Sequence, residues 1–419
     1  MSGVLKMSNI VSGNDNTIEW AKVGWKQVKG EFVEYPLKVW QNLETVLDKH
    51  NIKLSLNLIN HDIDYIGLNS TGSRNGKLTD IHSLQIEEGL NLNKDDTLAA
   101  VKRIAEKNCY NPFVDMLIEN ENYDYEIVRK LFNCLEINDN NQENIEFYFR
   151  LFVKWCLNVV KMAQNDLEKD LGGQGVLVLQ GGQGCFKSTF CRYLMPDNSW
   201  FKGDKSLEPD KTDSVIQNTS YILVEWGELD STLKGEQAKL KQFITATNDE
   251  YRTPYDKVSE KYPRLTSYIG TVNKKDFLKD ETGSRRFWII PIKKCDINKL
   301  KEIDMKQFWG AVYSIFKDGR VIDYLNDKDL EKIKELNSDY NFVSDISITL
   351  DEKLDWDSPI EEWDIYNTSE ICNYLLIKEK KSLSNELLRR GIEYKSYRLR
   401  TGKIKKGYKI PRIELGYSF

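Results

Sequence analysis

The sequence lacks the features that define several protein classes. It has no apolar run near the roughly 20 residues that a membrane-spanning helix needs, and its N-terminus has no apolar segment of the signal-peptide kind. Its seven cysteines form no Cys-x-x-Cys pair, which favours reduced thiols over a disulfide framework. With only three histidines, a zinc site or histidine-based catalysis is not expected. We therefore expect a cytoplasmic protein with no membrane partner.

The chain also has little net charge, −5 over 419 residues, which argues against a uniformly basic nucleic-acid-binding protein. The charges are unevenly distributed, however. Thirteen Lys and Arg and three Glu lie between Lys378 and Arg412, so this segment carries +10 and the rest of the chain carries −15. Because single hydrophobic cores stop growing at about 250–300 residues, we expect more than one domain, and a basic C-terminal module is one of them.

Changes in the sequence pattern predict four segments. Residues 1–170 are typical of a mainly helical region with a small hairpin over Leu54–Gly67, and this region is a candidate collar for oligomerisation. Residues 171–325 alternate short apolar runs with helical segments, which indicates an α/β domain with buried strands. Residues 326–367 are expected to form a helical and acidic connection, and residues 368–419 a basic module of two helices and a hairpin, like a winged helix.

A glycine-rich loop follows the apolar run Val176–Leu179 and precedes a predicted helix. From Gly181 to Lys187 and Ser188 it has the G-x-x-x-x-G-K-S/T spacing of a phosphate-binding loop, but Phe186 stands at the last glycine and would need a conformation usually left to glycine. In such loops, backbone N–H groups wrap a phosphate, the lysine reaches the terminal phosphates and the hydroxyl holds Mg²⁺. The alternative is a glycine-rich turn with an incidental lysine. The predicted nucleotide-binding residues are Gly181, Gly182, Gln183, Gly184, Cys185, Phe186, Lys187, Ser188 and Thr189.

Two acids follow the next apolar run. Glu225 closes the segment Tyr221–Trp226, and Glu228 lies three residues later. Carboxylates at a strand end beside a phosphate-binding loop can hold Mg²⁺ and orient or deprotonate the attacking water. We predict Ser188 and Glu225 as metal ligands and both acids as catalytic, with their division of labour open. A solvated acidic loop is the alternative.

Polar residues also end the two later apolar runs. Asn273 follows Tyr268–Val272, where its amide can bond the γ-phosphate or the water, unless it only begins a turn. Arg285 and Arg286 precede the run Phe287–Ile292. Arginines suit the phosphate charge that develops during transfer, and an arginine at a domain edge can serve a neighbouring subunit's nucleotide. The alternative is a pair of surface arginines beside a strand.

The chain resembles the virulence-associated protein E family in the succession QGGQGCFKSTF, YILVEWGELD, LKQFITATNDEYRTPYDKVSEKYPR, GTVNKKDFL and GSRRFWIIPI. The P-loop domain of that family is similar to the AAA+-type superfamily III helicases of viruses, plasmids and integrated mobile elements. The resemblance covers about residues 100–320 and implies ATP as the nucleotide. It also implies a ring, with six subunits expected, that hydrolyses ATP at subunit interfaces and translocates on DNA. Carried over by motif, the site residues are Lys187 and Ser188 (Walker A), Glu225 and Glu228 (Walker B), Asn273 (sensor) and Arg285 or Arg286 (arginine finger).

Two regions are predicted to hold DNA. The segment 248–264 suits a projecting hairpin or loop that offers Tyr255, Lys257 and Lys261 for stacking and phosphate contact, and the resemblance implies that it meets single-stranded DNA in the ring channel. The basic C-terminal module is expected to bind duplex DNA. The alternative for the first region is an ordinary charged surface loop. The alternatives for the module are a solvated basic tail and a docking site for an acidic partner. The predicted contacts in the module are Arg398, Arg400, Lys403, Lys405 and Lys406.

These observations favour an ATP-dependent DNA helicase or replication initiator of a mobile genetic element, working with a primase or other replication proteins. One alternative is a P-loop ATPase that loads or remodels other replication proteins. The other is an origin-binding initiator that uses ATP as an assembly switch without unwinding DNA. Phe186 leaves the strength of hydrolysis open. The three-residue spacing of Glu225 and Glu228, where the family has adjacent acids, leaves the division of labour between them open.

Overall fold

The computed structural model describes residues 18–70, 72–203, 207–208, 210–227, 229, 237–252, 258–278, 281–341, 344–398 and 402–413. Contacts divide the chain into two units. One holds the described residues up to Lys274 together with Arg285–Ile333, and the other holds Lys275–Ser284 with those from Lys334 onwards. Among the described residues, no helix is both long and apolar enough to cross a membrane.

The N-terminal part of the first unit has a small core of its own, in which Leu43, Val101 and Ile104 are almost fully buried. The hairpin predicted over Leu54–Gly67 is confirmed. A second hairpin, earlier in the chain, was not predicted. Its turn residue Gly30 has the positive φ that tight hairpin turns need. The elements are β1 (Val23–Val28), β2 (Glu31–Pro36), α1 (Trp40–Lys49), β3 (Lys53–Asn57), β4 (Ile63–Ile66), α2 (Arg74–Glu87), α3 (Lys94–Lys107) and β5 (Cys109–Tyr110).

A long helix connects this part to the central sheet. Its N-terminus is capped by the Asn141 side chain, which accepts a hydrogen bond from the Glu143 N–H at 2.9 Å. Its apolar face packs on three strands of the central sheet, and the Trp155 indole donates to the Tyr268 carbonyl at 2.9 Å. This helix lies within the region expected to be mainly helical, and it ends at Ala163. The elements are α4 (Pro112–Glu119), α5 (Glu126–Phe132), β6 (Leu135–Ile137) and α6 (Gln142–Ala163).

The central sheet has six strands in the order β6-β13-β7-β12-β9-β8, and all neighbours are parallel except β6 and β13. Every residue of β7 and β12 is buried, which explains why these strands are continuous apolar runs. The predicted α/β architecture is confirmed at this level. The strands are β7 (Val176–Gln180), β8 (Phe201–Lys202), β9 (Leu223–Trp226), β12 (Ser267–Val272) and β13 (Phe287–Cys295).

The order of these strands places one loop centrally. Strand β7 lies between β12 and β13, so the loop after β7 lies among the carboxyl ends of parallel strands, where ligands of open α/β sheets bind. After this loop the chain continues to β8 at one edge of the sheet and returns through β9 and β12. The connecting elements are α7 (Lys187–Tyr193), α8 (Thr212–Thr219), α9 (Gln237–Ile244), β10 (Asn248–Tyr251), β11 (Glu260–Pro263), α10 (Ile297–Lys301) and α11 (Met305–Asp318).

The second unit contains the basic C-terminal segment. Its two predicted helices and hairpin are confirmed, and a further strand, β14, pairs with β16 to give the antiparallel order β14-β16-β15. The elements are α12 (Asp327–Asn337, which begins in the first unit), α13 (Asp345–Lys353), β14 (Asp364–Tyr366), α14 (Thr368–Leu375), α15 (Lys380–Arg389), β15 (Lys395–Arg398) and β16 (Ile404–Ile410). Across both units, short 3-10 helices lie at Asn198–Trp200, Glu281–Arg286, Ser338–Tyr340 and Ile360–Glu362.

The acidic segment contributes to the core of this unit. Leu350 and Leu354 pack in one cluster with Ile371, Leu383 and Ile410. We expected a boundary at residue 367 between a connection and a separate module, but α13 and β14 share their core and sheet with the elements that follow. The physical reason is that the scattered apolar side chains of the acidic segment are more stable buried in a core than exposed along a free linker.

Candidate functional site

The loop between β7 and α7 has the backbone of a tight turn. The Gly181 N–H donates to the Val272 carbonyl at 3.1 Å, and a Cβ on Gly181 would lie only 2.4 Å from the Ile292 carbonyl oxygen, so this position requires glycine. Gly184 and Phe186 have φ values of +79° and +64°. Phe186 thus adopts the left-handed conformation that the sequence implied for it, and helix α7 begins at the next residue.

The loop borders a cavity of about 630 Å³, which we call the loop cavity and which is lined by Gln183–Thr189, Gly227 and Thr271–Lys274. Its size is that of small-molecule sites. The structure therefore brings Asn273 together with the predicted residues Lys187, Ser188 and Thr189, from which it is far apart in sequence.

Lys187 is buried at the centre of this arrangement, with 8% of its surface exposed. Its Nζ donates to the carbonyls of Gly181 and Gly182, both at 2.8 Å, and to Asn273 Oδ1 at 2.9 Å, and it lies 3.4 Å from Cys185 Sγ. No carboxylate of the described residues lies within ion-pair distance of it. The ammonium group is therefore desolvated, and its described oxygen partners are neutral carbonyl and amide groups.

Two further thiols near the loop cannot supply a counter-charge. Burial raises the pKa of Cys295 to about 12, and burial together with the nearby Glu225 raises the pKa of Cys191 well above its usual value. Both thiols are therefore protonated at pH 7, and the positive charge of Lys187 remains available to an anion.

Asn273 is held at the end of β12 by its own backbone. Its carbonyl accepts a hydrogen bond from Gln180 Nε2 at 3.3 Å, while its side-chain oxygen accepts from Lys187. Asn273 thus connects the ends of β12 and β7 at the loop cavity. Gln180 was not among the predicted residues, although a polar side chain at the end of an apolar strand was a signal for it.

Glu225 lies within β9, buried to 2% exposure. The Thr271 hydroxyl of the adjacent β12 donates to its Oε1 at 3.1 Å. Thr271 was also missed, and the signal was a hydroxyl inside an otherwise apolar strand. Glu228 lies outside the described residues.

Arg285 and Arg286 do not line the loop cavity. They border a separate cavity of about 470 Å³, whose lining also includes Lys161, Asp170 and Gln174. The pKa of Arg286 is lowered by burial and by its neighbour Arg285, and its Nε is buried without a hydrogen-bond partner among the described residues. The chain therefore keeps this guanidinium pair apart from Lys187.

The predicted DNA contacts are placed in two hairpins. Lys261 is exposed on β11, and in the second unit Arg398 and Lys406 are exposed on β15 and β16. Lys403 is exposed before β16, and Lys405 lies 3.9 Å from Glu370 and near the Tyr366 ring. Three predicted contacts lie outside the described residues, namely Tyr255, Lys257 and Arg400.

Comparison with known proteins gives a family match. The virulence-associated protein E-like domain matches residues 124–342, about half of the chain. No curated protein matches it. Among solved structures, it is similar to the A form apo structure of the NrS-1 C terminal region, at 13% identity and a TM-score of 0.47, and to the apo structure of NrS-1 C terminal region (305-718), at 13% and 0.46. Both matches cover 89% of this chain and 99% of the other.

Proposed function

Because this chain belongs to the virulence-associated protein E-like family, we propose that it is an ATP-hydrolysing DNA helicase that acts in the replication of a mobile genetic element. The observation that carries the ATP part is the environment of Lys187. A buried ammonium group with only neutral partners among the described residues, at the edge of a cavity of about 630 Å³, is a site for an anionic ligand.

The loop supplies the rest of the phosphate site. On ATP binding, Lys187 Nζ is expected to exchange its bonds to the Gly181 and Gly182 carbonyls for bonds to phosphate oxygens, which are stronger because they are charge-assisted. Asn273, which already contacts Lys187, is then placed to bond the γ-phosphate or the attacking water. These contacts support the proposal that residues 181–189 act as a P-loop.

The described donors also fit Mg²⁺. The Ser188 hydroxyl at the loop cavity and the Glu225 carboxylate are the hard oxygen ligands that this ion prefers. In P-loop sites Mg²⁺ is held by one or two protein ligands together with substrate phosphates and water. When bound, the ion neutralises phosphate charge. Thr271 fixes the orientation of Glu225, and Glu225 and Glu228 share the work of holding the ion's water and orienting the attacking one.

A ring accounts for the position of the arginines. Arg285 and Arg286 border another cavity, so within one chain they do not reach the loop cavity. We propose that one of them contacts the nucleotide of the next subunit in a homo-oligomer, six subunits being our expectation, and stabilises the charge that develops on the transferred phosphate.

The two hairpins supply the DNA contacts in this proposal. The β10–β11 hairpin, with Lys261 exposed, would meet single-stranded DNA in the ring channel, and the basic second unit, as a winged-helix-like module, would bind duplex DNA. Several lysines and arginines on one hairpin release counterions on binding, so duplex affinity should fall steeply with salt. A primase or other replication proteins would act beside it.

The test compares ATP hydrolysis, with and without single-stranded and forked DNA, and strand displacement on the forked DNA. Wild-type protein is compared with Lys187→Ala and with Lys130→Ala, a control that removes an exposed lysine of α5. We expect Lys187→Ala to abolish hydrolysis and unwinding, because it removes the ammonium group that is proposed to bind the phosphates, and Lys130→Ala to behave as wild type.

Each outcome separates the candidate functions. Unwinding that survives Lys187→Ala would refute the motor. Hydrolysis that DNA does not stimulate, without strand displacement, would favour an initiator or loader that uses ATP as an assembly switch. A monomer by light scattering, in the presence of DNA and a non-hydrolysable ATP analogue, would count against the ring.

A further inference from the structure

Phe186 borders two cavities. One is the loop cavity, and the other has a volume of about 770 Å³ and is lined by Asn133, Phe186, Thr189 and Lys294–Lys299 among others. We call the second one the side cavity. Since Phe186 and Thr189 belong to both linings, the two cavities are adjacent.

The side cavity is fixed to the phosphate loop by backbone hydrogen bonds. The Cys295 N–H donates to the Cys185 carbonyl at 3.0 Å, and the Asp296 N–H donates to the Cys134 carbonyl at 2.7 Å. The Asp296 carboxylate caps helix α10 by accepting from the Asn298 and Lys299 N–H groups. The wall of the side cavity therefore keeps its position relative to the loop.

Phe186 has an unfavourable backbone conformation, yet its ring adds little to the core. Its φ of +64° disfavours any side chain relative to glycine, yet 48% of the residue is exposed and its ring stacks on no aromatic ring of the described residues. Packing in the fold does not account for phenylalanine at this position. An exposed aromatic face at the junction of two cavities is a surface on which a nucleobase can stack.

We propose that the Phe186 ring stacks on the base of the bound nucleotide, and that the side cavity holds the nucleoside. The inference rests on the proposed function and extends it to base selection. Stacking area favours a purine over a pyrimidine. The side-chain amides of Asn133 and Asn298 line the side cavity and make no hydrogen bond with the described residues, so each offers a donor and an acceptor to the edge of the base.

The experiment separates base from phosphate. Binding of ATP, CTP and inorganic tripolyphosphate is measured by calorimetry for the full chain as wild type, Phe186→Gly, Phe186→Trp and Lys187→Ala. Phe186→Gly should weaken ATP binding about 5- to 150-fold, the range for losing one aromatic–base stack. It should weaken CTP less and leave tripolyphosphate within about twofold, because glycine accepts the positive φ. Phe186→Trp should keep ATP binding.

The results decide between distinct failures. Equal losses of ATP and tripolyphosphate affinity in Phe186→Gly would mean that the residue only shapes the loop, and unchanged ATP affinity would mean that its ring does not touch the base. Either result overturns this inference while leaving the proposed function in place, provided that Lys187→Ala loses tripolyphosphate binding. A wild-type protein that binds neither ATP nor tripolyphosphate overturns both.

A second pair of variants tests the amides. Asn133→Ala and Asn298→Ala are compared with Asn140→Ala, an exposed asparagine outside the side cavity. At least one of the first two should weaken ATP more than purine riboside triphosphate, which lacks the exocyclic amine. The control should change neither. If each of the three variants affected both nucleotides equally, the proposal that these amides bind the edge of the base would be refuted.

Discussion

Replacing Arg264 by methionine should destabilise the protein by about 3–5 kcal/mol, the range for breaking a buried ion pair by removing one partner. Arg264 is 2% exposed at the base of the β10–β11 hairpin. Its Nε donates to Asp249 Oδ2 at 2.8 Å, its other nitrogens donate to Asp249 Oδ1 and the Phe243 carbonyl, and the guanidinium lies 3.9 Å from the centre of the Phe243 ring.

Methionine preserves much of the apolar volume, so the loss arises mainly from what remains behind. The Asp249 side chain, 10% exposed, keeps its negative charge without a partner, and the Phe243 carbonyl loses a donor, which adds about 1 kcal/mol. The double variant Arg264→Met/Asp249→Leu removes both charges and should therefore be more stable than Arg264→Met alone.

Urea unfolding at pH 7, followed by tryptophan fluorescence, measures these differences. Lys317→Met is the control. Lys317 pairs with Glu121 at 2.8 Å but is half exposed, so this substitution should hardly change the urea midpoint of unfolding. A loss below about 1 kcal/mol for Arg264→Met, or a double variant no better than the single one, would refute the reasoning. Hydrogen exchange at β10 and β11 should rise in Arg264→Met, because the side-chain bonds that fix the base of the hairpin to Asp249 and to the Phe243 carbonyl are lost.

The remaining predictions concern one close helix contact and one histidine. Gly310→Ala should lower the free energy of unfolding in urea by about 1–3 kcal/mol, because the new Cβ would lie 1.8 Å from the Asn120 carbonyl oxygen. In Gly76→Ala the new Cβ meets only Ser73 Oγ at 3.8 Å, so this variant should gain about 0.5–1 kcal/mol from helix propensity. Equal effects of the two substitutions would contradict the close packing of Gly310. Burial lowers the pKa of His61 from 6.5 to about 4, so below pH 6.5 the unfolded chain takes up a proton that the folded chain refuses, and the free energy of unfolding should fall by up to about 1.4 kcal/mol per pH unit towards pH 4. His61→Asn should flatten this dependence between pH 7 and pH 4.5, and an unchanged slope would show that other groups cause it.

Local patterns made the central strands and the loop predictable. The runs Val176–Leu179 and Tyr268–Val272 are apolar at every position because both faces of these strands are covered, and such a signal needs no knowledge of the partners. The early hairpin, β14 and the shared core of α13 were missed, since short strands and acidic stretches with scattered apolar residues give weak periodic signals. The nucleotide, metal and DNA roles of individual residues stay predictions.

By itself, the sequence determined that Gly181, Lys187 and Ser188 lie on a strand–loop–helix segment, because their spacing lies within a few residues and depends on local backbone geometry. Only the tertiary structure decided that Lys187 meets Asn273, 86 residues away, and that its described partners are neutral. It also decided that Thr271 orients Glu225. These contacts depend on which strands are neighbours and in what register, and long-range pairing sets both, whereas the pattern along the chain reports only which residues are buried.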